Sequence, residues 1–160
     1  MFDFLKKDKN REVLGAPVKG RTLPSSAIND PTFSQEMLGK GLAIQPAEGI
    51  ICSPVDGIIS VVIDTKHAVS VTSKQGAEIL IHVGLDTVAL KGKYFTSHVT
   101  MGDEVKKGDL LLEFDIEALK REGYDVITPM IICNSDAYKD MNRYLDKIVE
   151  KGDTVIELIK

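Results

Sequence analysis

The sequence predicts an all-β domain, a sandwich or barrel built from many short strands. Its apolar runs are short and rich in β-branched residues, and Gly, Pro, Asp and Ser separate them, which is typical of such folds. Its helical candidates are few and short. At 160 residues and 43% hydrophobic content, the chain is long enough for one domain with an ordinary core.

Taken in chain order, the predicted elements are strands interrupted by short helical segments. The strands are residues 42–44, 50–52, 58–63, 69–71, 79–81, 110–114 and 156–159. The helical segments are residues 33–39, 116–122 and 136–141. Gly39 and Gly123 would end the first two segments, and Ser135 or Asp136 would cap the third.

A strand–turn motif occurs twice in the chain. Residues 99–105 (VTMGDEV) are similar to residues 149–155 (VEKGDTV), and an apolar strand follows each copy. Residues 53–55 (SPV) are likewise similar to residues 128–130 (TPM). The repetition indicates one structural unit used twice. Because a glycine followed by an aspartate favours a turn, we expect the lysines of residues 105–109 at a solvated hairpin tip.

Two histidines mark the segment around which the chain is organised. Two β-prone runs flank the turn-forming residues 73–76, which predicts a β-hairpin. Pairing Thr72 with Ala77 would close that turn. His67 then lies directly opposite His82, and the Cβ atoms of such a pair are about 4.5–5.5 Å apart.

A pair of imidazoles on one sheet face is compatible with three roles. One ring nitrogen can attack phosphorus while the other imidazole donates a hydrogen bond to the phosphoryl oxygens. Both rings can bind a metal, or both can be structural polar groups at a sheet edge. Because Gly84 follows His82 closely and glycine lets the backbone approach a ligand, we favour a functional site.

Composition and cysteine usage narrow the function classes. A net charge of −4 and a pI near 5.4 argue against a nucleic-acid partner. No run of about 18 apolar residues is present, and the first residues lack the apolar core of a secretory signal. Cys52 and Cys133 have no metal-binding spacing and are expected to be buried thiols in a reducing compartment. These observations predict a cytoplasmic protein.

The predicted domain covers residues 20–160, and residues 1–19 are predicted to form a flexible N-terminal segment. Within residues 2–9, apolar side chains are followed by lysines. This pattern is compatible with a weak amphipathic helix on an anionic membrane, or with a frayed charged terminus. We therefore expect at most weak peripheral membrane association through residues 1–9.

Several segments of the chain form a specific pattern when they are taken together. They are residues 53–57 (SPVDG), 65–68 (TKHA), 80–88 (LIHVGLDTV), 90–92 (LKG), Phe95, 102–108 (GDEVKKG) and 114–115 (FD). With them, the chain closely resembles the IIA component of the glucose family of the bacterial sugar phosphotransferase system. The resemblance extends from about Leu23 to Ile159, which is nearly the whole chain.

The resemblance implies a β-sandwich with a duplicated barrel-sandwich hybrid motif and a phosphotransferase component with a covalent phosphohistidine intermediate. His82 would accept a phosphoryl group from the phosphohistidine of the carrier HPr. It would then pass that group to a cysteine of a sugar-specific IIB domain of a membrane permease during sugar uptake. No cofactor or metal is expected, because the transfer between two histidines is nearly balanced in energy and no P-loop is visible.

The resemblance also implies roles for other residues. His67 matches the second active-site histidine, and Thr65 matches the residue that orients it. Gly84 and Asp86 border the site, and we expect Asp86 to organise the loop after His82 by bonding backbone N–H groups. Both partners would dock on an apolar patch around the histidines. The matching positions of this docking patch are Phe33, Met37, Leu38, Ile63, Leu80 and Val88.

Other functions would use the same features differently. A biotinyl or lipoyl carrier shares parts of the turn motifs, but no tip with a lysine for modification is present. A metal site would use His67 and His82 with Asp86 as a third ligand, although zinc sites usually have three or four protein ligands. A regulatory role through the phosphorylation state stays open. His98 has no place in the hairpin site and is expected to be structural or exposed.

Overall fold

The computed structural model describes residues 10–160, and most of the regular secondary structure in them consists of short β-strands. The strands are β1 Arg11–Gly15, β2 Gly20–Pro24, β3 Lys40–Pro46, β4 Ile50–Cys52, β5 Gly57–Val62, β6 Ala68–Ser73, β7 Glu78–His82, β8 Phe95–Ser97, β9 Glu104–Val105, β10 Leu110–Phe114, β11 Thr128–Ile132, β12 Asp140–Arg143, β13 Ile148–Val149 and β14 Thr154–Ile159. The helices are α1 Pro31–Ser34 and α2 Ile116–Arg121, with 3₁₀ turns at Ser25–Ala27, Thr87–Leu90 and Ser135–Ala137. Within residues 10–160, no helix is long and apolar enough to cross a membrane.

Three antiparallel sheets make up the sandwich. The largest has eight strands in the order β13-β2-β3-β11-β7-β6-β5-β9. Two three-stranded sheets, β1-β14-β12 and β4-β10-β8, complete the fold. The prediction of an all-β sandwich with a few short helices is therefore confirmed.

The main core lies on one face of the eight-stranded sheet, which we call the inner face. Side chains alternate between the two faces of a strand, so every second residue of β6, β7 and β11 points inward. Residues of the small sheets pack into the same cluster. Its fully buried members include Val69, Val71, Ile79, Ile81, Met130, Leu111, Leu112, Ile156 and Leu158.

A second, smaller apolar cluster lies on the opposite face of that sheet, which we call the outer face. It contains the residues that alternate with the main core in β3 and β11, together with residues from α1 and the connecting loops. Leu80 of β7 packs against it. The buried members of this outer cluster are Ile28, Phe33, Ala43, Leu85, Ile127 and Ile131. His82 shares the outer face with Leu80, because the two residues are two positions apart on β7.

The repeated sequence motif forms repeated turns. The side chain of Asp103 accepts a hydrogen bond from the N–H of Thr100, and that of Asp153 accepts one from Glu150. A third turn of this kind occurs at residues 106–109, where Asp109 accepts from the N–H of Lys106. The lysines of this third turn are exposed, as the solvated hairpin tip predicts.

The domain begins earlier in the chain than the predicted boundary at residue 20. β1 pairs with β14 along its length, from Arg11 opposite Ile159 to Gly15 opposite Thr154. Leu14, which belongs to β1, is fully buried in the main core. Residues 11–19 are thus part of the sandwich, because their apolar side chains complete its core. Residues 1–9, including the predicted membrane-binding stretch, lie outside the described residues.

Two local predictions also need correction. The third helical segment is replaced by the 3₁₀ turn Ser135–Ala137 and by β12, because Met141 pairs with Leu158 of β14 and packs on the main core. Cys52 is buried as expected, whereas Cys133 is exposed. The helix α2 is confirmed, and the side chain of Asp115 caps it by accepting a hydrogen bond from Ala118.

Candidate functional site

The β6–β7 hairpin pairs one residue out of step with the predicted register. Ala68 lies opposite His82, where the prediction had placed His67. The loop contains three residues instead of four, because Ser73 already pairs with Ala77. The N–H of Ser73 donates to the carbonyl of Ala77 at 2.9 Å, and Oγ of Ser73 accepts from the N–H of Ala77 at 2.9 Å. The predicted register was therefore wrong.

Burial on the inner face explains the register that forms. It pairs Val69 with Ile81 and Val71 with Ile79, and all four side chains are fully buried. A slip of one residue moves every side chain of a strand to the other face of the sheet. The predicted register would have paired Val71 with the exposed Glu78, so it would have lost this apolar contact.

The two imidazoles are adjacent even so. Their ring centroids lie 4.8 Å apart and their planes meet at 83°, edge to face. His67 precedes β6, and the chain before it turns through Lys66, which has a φ of +61°. His67 is therefore not part of the strand, and the alternation of side chains along β6 does not set the direction of its side chain. Its carbonyl accepts a hydrogen bond from the N–H of Val83 at 2.7 Å, which attaches it to the end of β7.

A main-chain carbonyl orients the ring of His82. Nδ1 of His82 lies 2.8 Å from the carbonyl oxygen of Gly84. A carbonyl can only accept a hydrogen bond, so the proton of the neutral ring is on Nδ1 and Nε2 carries a free electron pair. The tautomer of His82 is thus set by the loop that follows it.

That loop needs a glycine because it packs closely and takes a left-handed conformation. Gly84 has a φ of +74°, and a Cβ atom there would lie 2.7 Å from Cγ2 of Thr87 and 2.8 Å from the carbonyl oxygen of Asp125. The N–H of Gly84 donates to the carbonyl of Ile127 at 3.0 Å. The close approach that the sequence predicted for Gly84 is therefore an approach to neighbouring protein atoms.

Thr87 also holds this loop in place, a role that the sequence analysis did not predict. Its buried hydroxyl donates to the carbonyl of Val83 at 2.6 Å. Asp86 was expected to organise the loop, but its side chain makes no hydrogen bond that caps the 3₁₀ turn after it. Instead, its main-chain carbonyl accepts from the N–H of Ala89 at 3.1 Å. In the sequence, Thr87 lies within the motif of residues 80–88, three residues after the turn glycine Gly84.

The surroundings of His82 favour its neutral form. Burial of the ring and then the neighbouring His67 lower the pKa of His82 to about 4, from an ordinary value of 6.5. The hydrogen bond to Gly84 and the carboxylates of Asp30 and Asp86 oppose this shift. His82 is therefore neutral at neutral pH, and its Nε2 can act as a nucleophile.

His67 is buried and is held by a neighbouring hydroxyl. Oγ1 of Thr65 lies 2.7 Å from Nδ1 of His67. When that hydroxyl donates, the proton of the neutral ring is on Nε2, which is then a hydrogen-bond donor. Burial lowers the pKa of His67, so the neutral ring is favoured here too. The site pairs one imidazole with a free electron pair and one that can donate.

Most of the predicted docking patch is exposed, but its members differ in position. Met37, Leu38, Ile63 and Val88 are between 38% and 69% exposed. Leu80 is half-buried against the outer cluster, and Phe33 is a buried member of that cluster. The ring of Phe33 lies 5.0 Å from that of His82 and is tilted by 54°. Phe33 is thus a wall of the histidine site.

Other candidate features do not join the site. His98 is exposed, as predicted, and its Nε2 lies 3.6 Å from the carboxylate of Glu113 on β10. In the part of the chain that the structure describes, no group of three or more His, Cys, Asp or Glu residues is arranged to hold a metal ion. Among residues 10–160, no third residue of these types is therefore placed to complete a metal site with His67 and His82.

Comparison with known proteins gives the family. Residues 12–138 match the family model described as phosphoenolpyruvate-dependent sugar phosphotransferase system, EIIA 1. The chain belongs to this EIIA family. The glucose-specific EIIA component of Oceanobacillus iheyensis is 44% identical over 160 residues, which cover 98% of this chain and 97% of that protein. The resemblance inferred from the motifs is confirmed.

Other relatives share the EIIA region within different proteins. The beta-glucoside-specific EIIBCA component of Bacillus subtilis is 51% identical over 129 residues. The matched part covers 81% of this chain but only 21% of that protein, so this chain spans about a fifth of its length.

The solved structure of glucose permease IIA from Mycoplasma capricolum matches with a TM-score of 0.85 and 32% identity, covering 96% of this chain and 97% of that one.

Proposed function

We propose that this EIIA chain is a phosphocarrier that accepts a phosphoryl group from phospho-HPr on Nε2 of His82. It passes the group to a cysteine of the IIB domain of a glucose-type permease during sugar uptake. The observation that carries the proposal is the hydrogen bond from Nδ1–H of His82 to the carbonyl of Gly84, because it leaves Nε2 as the free nucleophilic atom. Such transfers take place in the cytoplasm, where phosphoenolpyruvate supplies the phosphoryl group.

The proposed acceptance step needs no cofactor. The electron pair on Nε2 of His82 forms a bond to phosphorus as the bond from phosphorus to the donor's ring nitrogen breaks. The electron pair of the broken bond stays on that donor nitrogen, and His82 keeps its Nδ1 proton. Positioning and charge stabilisation dominate such transfers. Nε2–H of His67 would donate to the phosphoryl oxygens, and Thr65 would hold His67 for this role.

The same surface would serve both partners in turn. Met37, Leu38, Ile63 and Val88 expose apolar side chains around the site, and apolar contacts do not select for one partner's charge pattern. Phosphorylation would add close to two negative charges at His82, which changes the surface that a partner meets. A regulatory role through the phosphorylation state would use this change.

The test is to follow the intact mass of the protein with phosphoenolpyruvate, enzyme I and HPr. We expect a single acid-labile phosphoryl adduct on the wild type and none on His82→Ala. His98→Ala, which removes an exposed histidine outside the site, is the matched control and should still accept the group.

The second half of the proposal is tested with His67→Ala and an acceptor IIB domain. We expect this variant to take up the phosphoryl group more slowly than the wild type and to fail to pass it on, because His82 is still the nucleophile but the phosphoryl oxygens lose the donor Nε2–H of His67. An unmodified wild type would refute the carrier function. An adduct that persists in His82→Ala would move the nucleophile to another residue.

A further inference from the structure

The turn that ends α1 has a glutamate where glycine is usual. The N–H of Met37 donates to the carbonyl of Thr32 at 3.1 Å, and the N–H of Glu36 donates to that of Phe33 at 3.0 Å. These two bonds define a Schellman motif, whose first residue after the helix is left-handed and is most often glycine. Here that residue is Glu36, with a φ of +56°. Because a side chain disfavours this conformation, other contacts must hold the turn.

The carboxylate of Glu36 makes those contacts. Its Oε2 accepts from Nη1 of Arg143 at 2.7 Å, from Oγ of Ser25 at 3.3 Å and from the N–H of Gly41 at 3.3 Å. The side chains of Glu36 and Arg143 are each 27% exposed, so this ion pair is shielded better than a surface pair. The left-handed turn is thus held by a charge-assisted hydrogen bond.

Arg143 comes from a different sheet. It lies on β12, which pairs with β14 in a three-stranded sheet, whereas Gly41 lies on β3 of the eight-stranded sheet. Nη1 of Arg143 also donates to the carbonyl of Gly41 at 2.8 Å. The guanidinium therefore connects the small sheet to both the α1 turn and β3, and it fixes the turn relative to the sheet that carries the histidines.

The turn held in this way forms one side of the histidine site. Phe33 in α1 places its ring 5.0 Å from that of His82. Met37 and Leu38 follow Glu36 directly and expose their side chains at the docking patch. We propose that Arg143 is a positioning residue for phosphoryl transfer, which acts through Glu36 to hold Phe33, Met37 and Leu38 in place for the incoming partner. This role rests on the proposed carrier function.

The kinetic test compares Arg143→Gln with the wild type in transfer from phospho-HPr. The KM for phospho-HPr is expected to rise about tenfold, as for the loss of one well-placed contact, while kcat changes less than about twofold. Arg21→Gln is the matched control, because its ion pair with Asp146 spans 3.8 Å between exposed side chains away from the site. Its KM should equal that of the wild type. An unchanged KM in Arg143→Gln would overturn the proposal.

A rescue variant separates positioning from direct contact with the partner. Glycine adopts the left-handed conformation without strain, so adding Glu36→Gly to Arg143→Gln should restore the turn without its ion pair. We expect the KM of the double variant to return to within about twofold of the wild-type value. If the KM stays high, Arg143 acts by touching the partner, and the positioning role is wrong.

A readout that needs no phosphoryl donor completes the test. The ring of Phe33 lies 5.0 Å from that of His82, so we expect it to shift the NMR resonances of the His82 ring protons. We expect these resonances to move in Arg143→Gln, to return in the double variant and to stay unchanged in Arg21→Gln. A wild type that accepts no phosphoryl group would refute the carrier function alone. Unmoved His82 resonances in Arg143→Gln would refute the positioning role alone.

Discussion

At the scale of the residue, single hydrogen bonds give two identical side chains different states. The carbonyl of Gly84 requires a proton on Nδ1 of His82, whereas the hydroxyl of Thr65 can donate to Nδ1 of His67. One ring then offers an electron pair at Nε2 and the other offers a proton there. Burial lowers the pKa of both rings and favours their neutral forms at neutral pH. Each ring therefore keeps its single proton on the nitrogen that its hydrogen bond selects.

The pH at which His82 gains a proton follows from its surroundings. Burial and the neighbouring His67 lower the pKa of His82 to about 4. As the pH falls, the ring should therefore stay neutral until the pH is well below 6.5, the ordinary pKa of histidine. We expect its NMR resonances to show no titration between about pH 5.5 and 8. The same ring in the urea-unfolded chain should titrate near 6.5. A midpoint near 6.5 in the folded protein would contradict this prediction.

The bond between Thr65 and His67 can be removed with little change in shape. Thr65→Val keeps the volume of the side chain but deletes the hydroxyl that lies 2.7 Å from Nδ1 of His67. We expect uptake of the phosphoryl group to continue and onward transfer to fall about tenfold, because His67 loses its fixed orientation. Single-turnover transfer to a IIB domain measures this.

The control for that prediction is Thr96→Val on the exposed surface of β8. It makes the same chemical change outside the site and should leave both steps at the wild-type rate. An equal loss in the two variants would show that the hydroxyl of Thr65 does not act through His67.

At the scale of the element, the site depends on the ends of the β6–β7 hairpin more than on its strands. The residue that pairs with His82 across the two strands is Ala68, so the strands themselves do not supply the second imidazole. The second imidazole comes from the turn before β6, and the orienting carbonyl comes from the loop after β7. Both segments include left-handed residues, Lys66 and Gly84. Backbone turns therefore bring the functional groups together on the outer face.

Gly84→Ala tests the need for close packing in that loop. A Cβ there would lie 2.7 Å from Cγ2 of Thr87 and 2.8 Å from the carbonyl of Asp125, so the loop must shift. The carbonyl that orients His82 would move with it. We expect loss of phosphoryl uptake and a free energy of unfolding lowered by roughly 1–3 kcal/mol beyond the cost of positive φ alone. Urea denaturation and the intact-mass assay measure the two effects.

The matched control is Gly76→Ala at the other end of the same hairpin. Gly76 also has a positive φ, of +101°, but a Cβ there would have no neighbour within 4 Å. This variant should show only the backbone strain and should keep phosphoryl uptake. If both variants lose the same stability and uptake, steric packing beneath Gly84 is not the cause.

At the scale of the whole molecule, two apolar clusters share one sheet. The inner face completes the main core with the small sheets, and the outer face carries the smaller cluster that reaches the histidine site. The position of Phe33 in that outer cluster makes the wall beside His82 part of the packing of the molecule. The main core also includes β1, so residues before 20 contribute to global stability.

Two substitutions on β1 test whether residues 11–19 belong to the domain. Leu14 is fully buried, and Leu14→Ala is expected to lower the free energy of unfolding by about 2–5 kcal/mol. Val13 is 41% exposed on the same strand, and Val13→Ala should cost less than about 1 kcal/mol. Chemical denaturation of the two variants checks this. Equally small effects would support the flexible segment that the sequence predicted.

The sequence by itself determined the fold class, the family and the identity of the paired histidines. Runs of β-branched residues and repeated glycine–aspartate turns are local patterns, so each depends on only a few adjacent residues. The strands and turns they predict could therefore be recognised from the sequence alone. The segment around His82 and the motifs near Thr65 and Gly102 matched one family, which the comparisons confirm.

Only the tertiary structure decided how these parts meet. The hairpin register depends on burying Val71 and Ile79 on the same face, and that face exists only once the sheets have packed. The ion pair between Glu36, in the turn after α1, and Arg143, on β12 of a small sheet, joins residues 107 positions apart. Contacts of this kind arise from the packing of distant segments, so no local pattern in the chain could have indicated them.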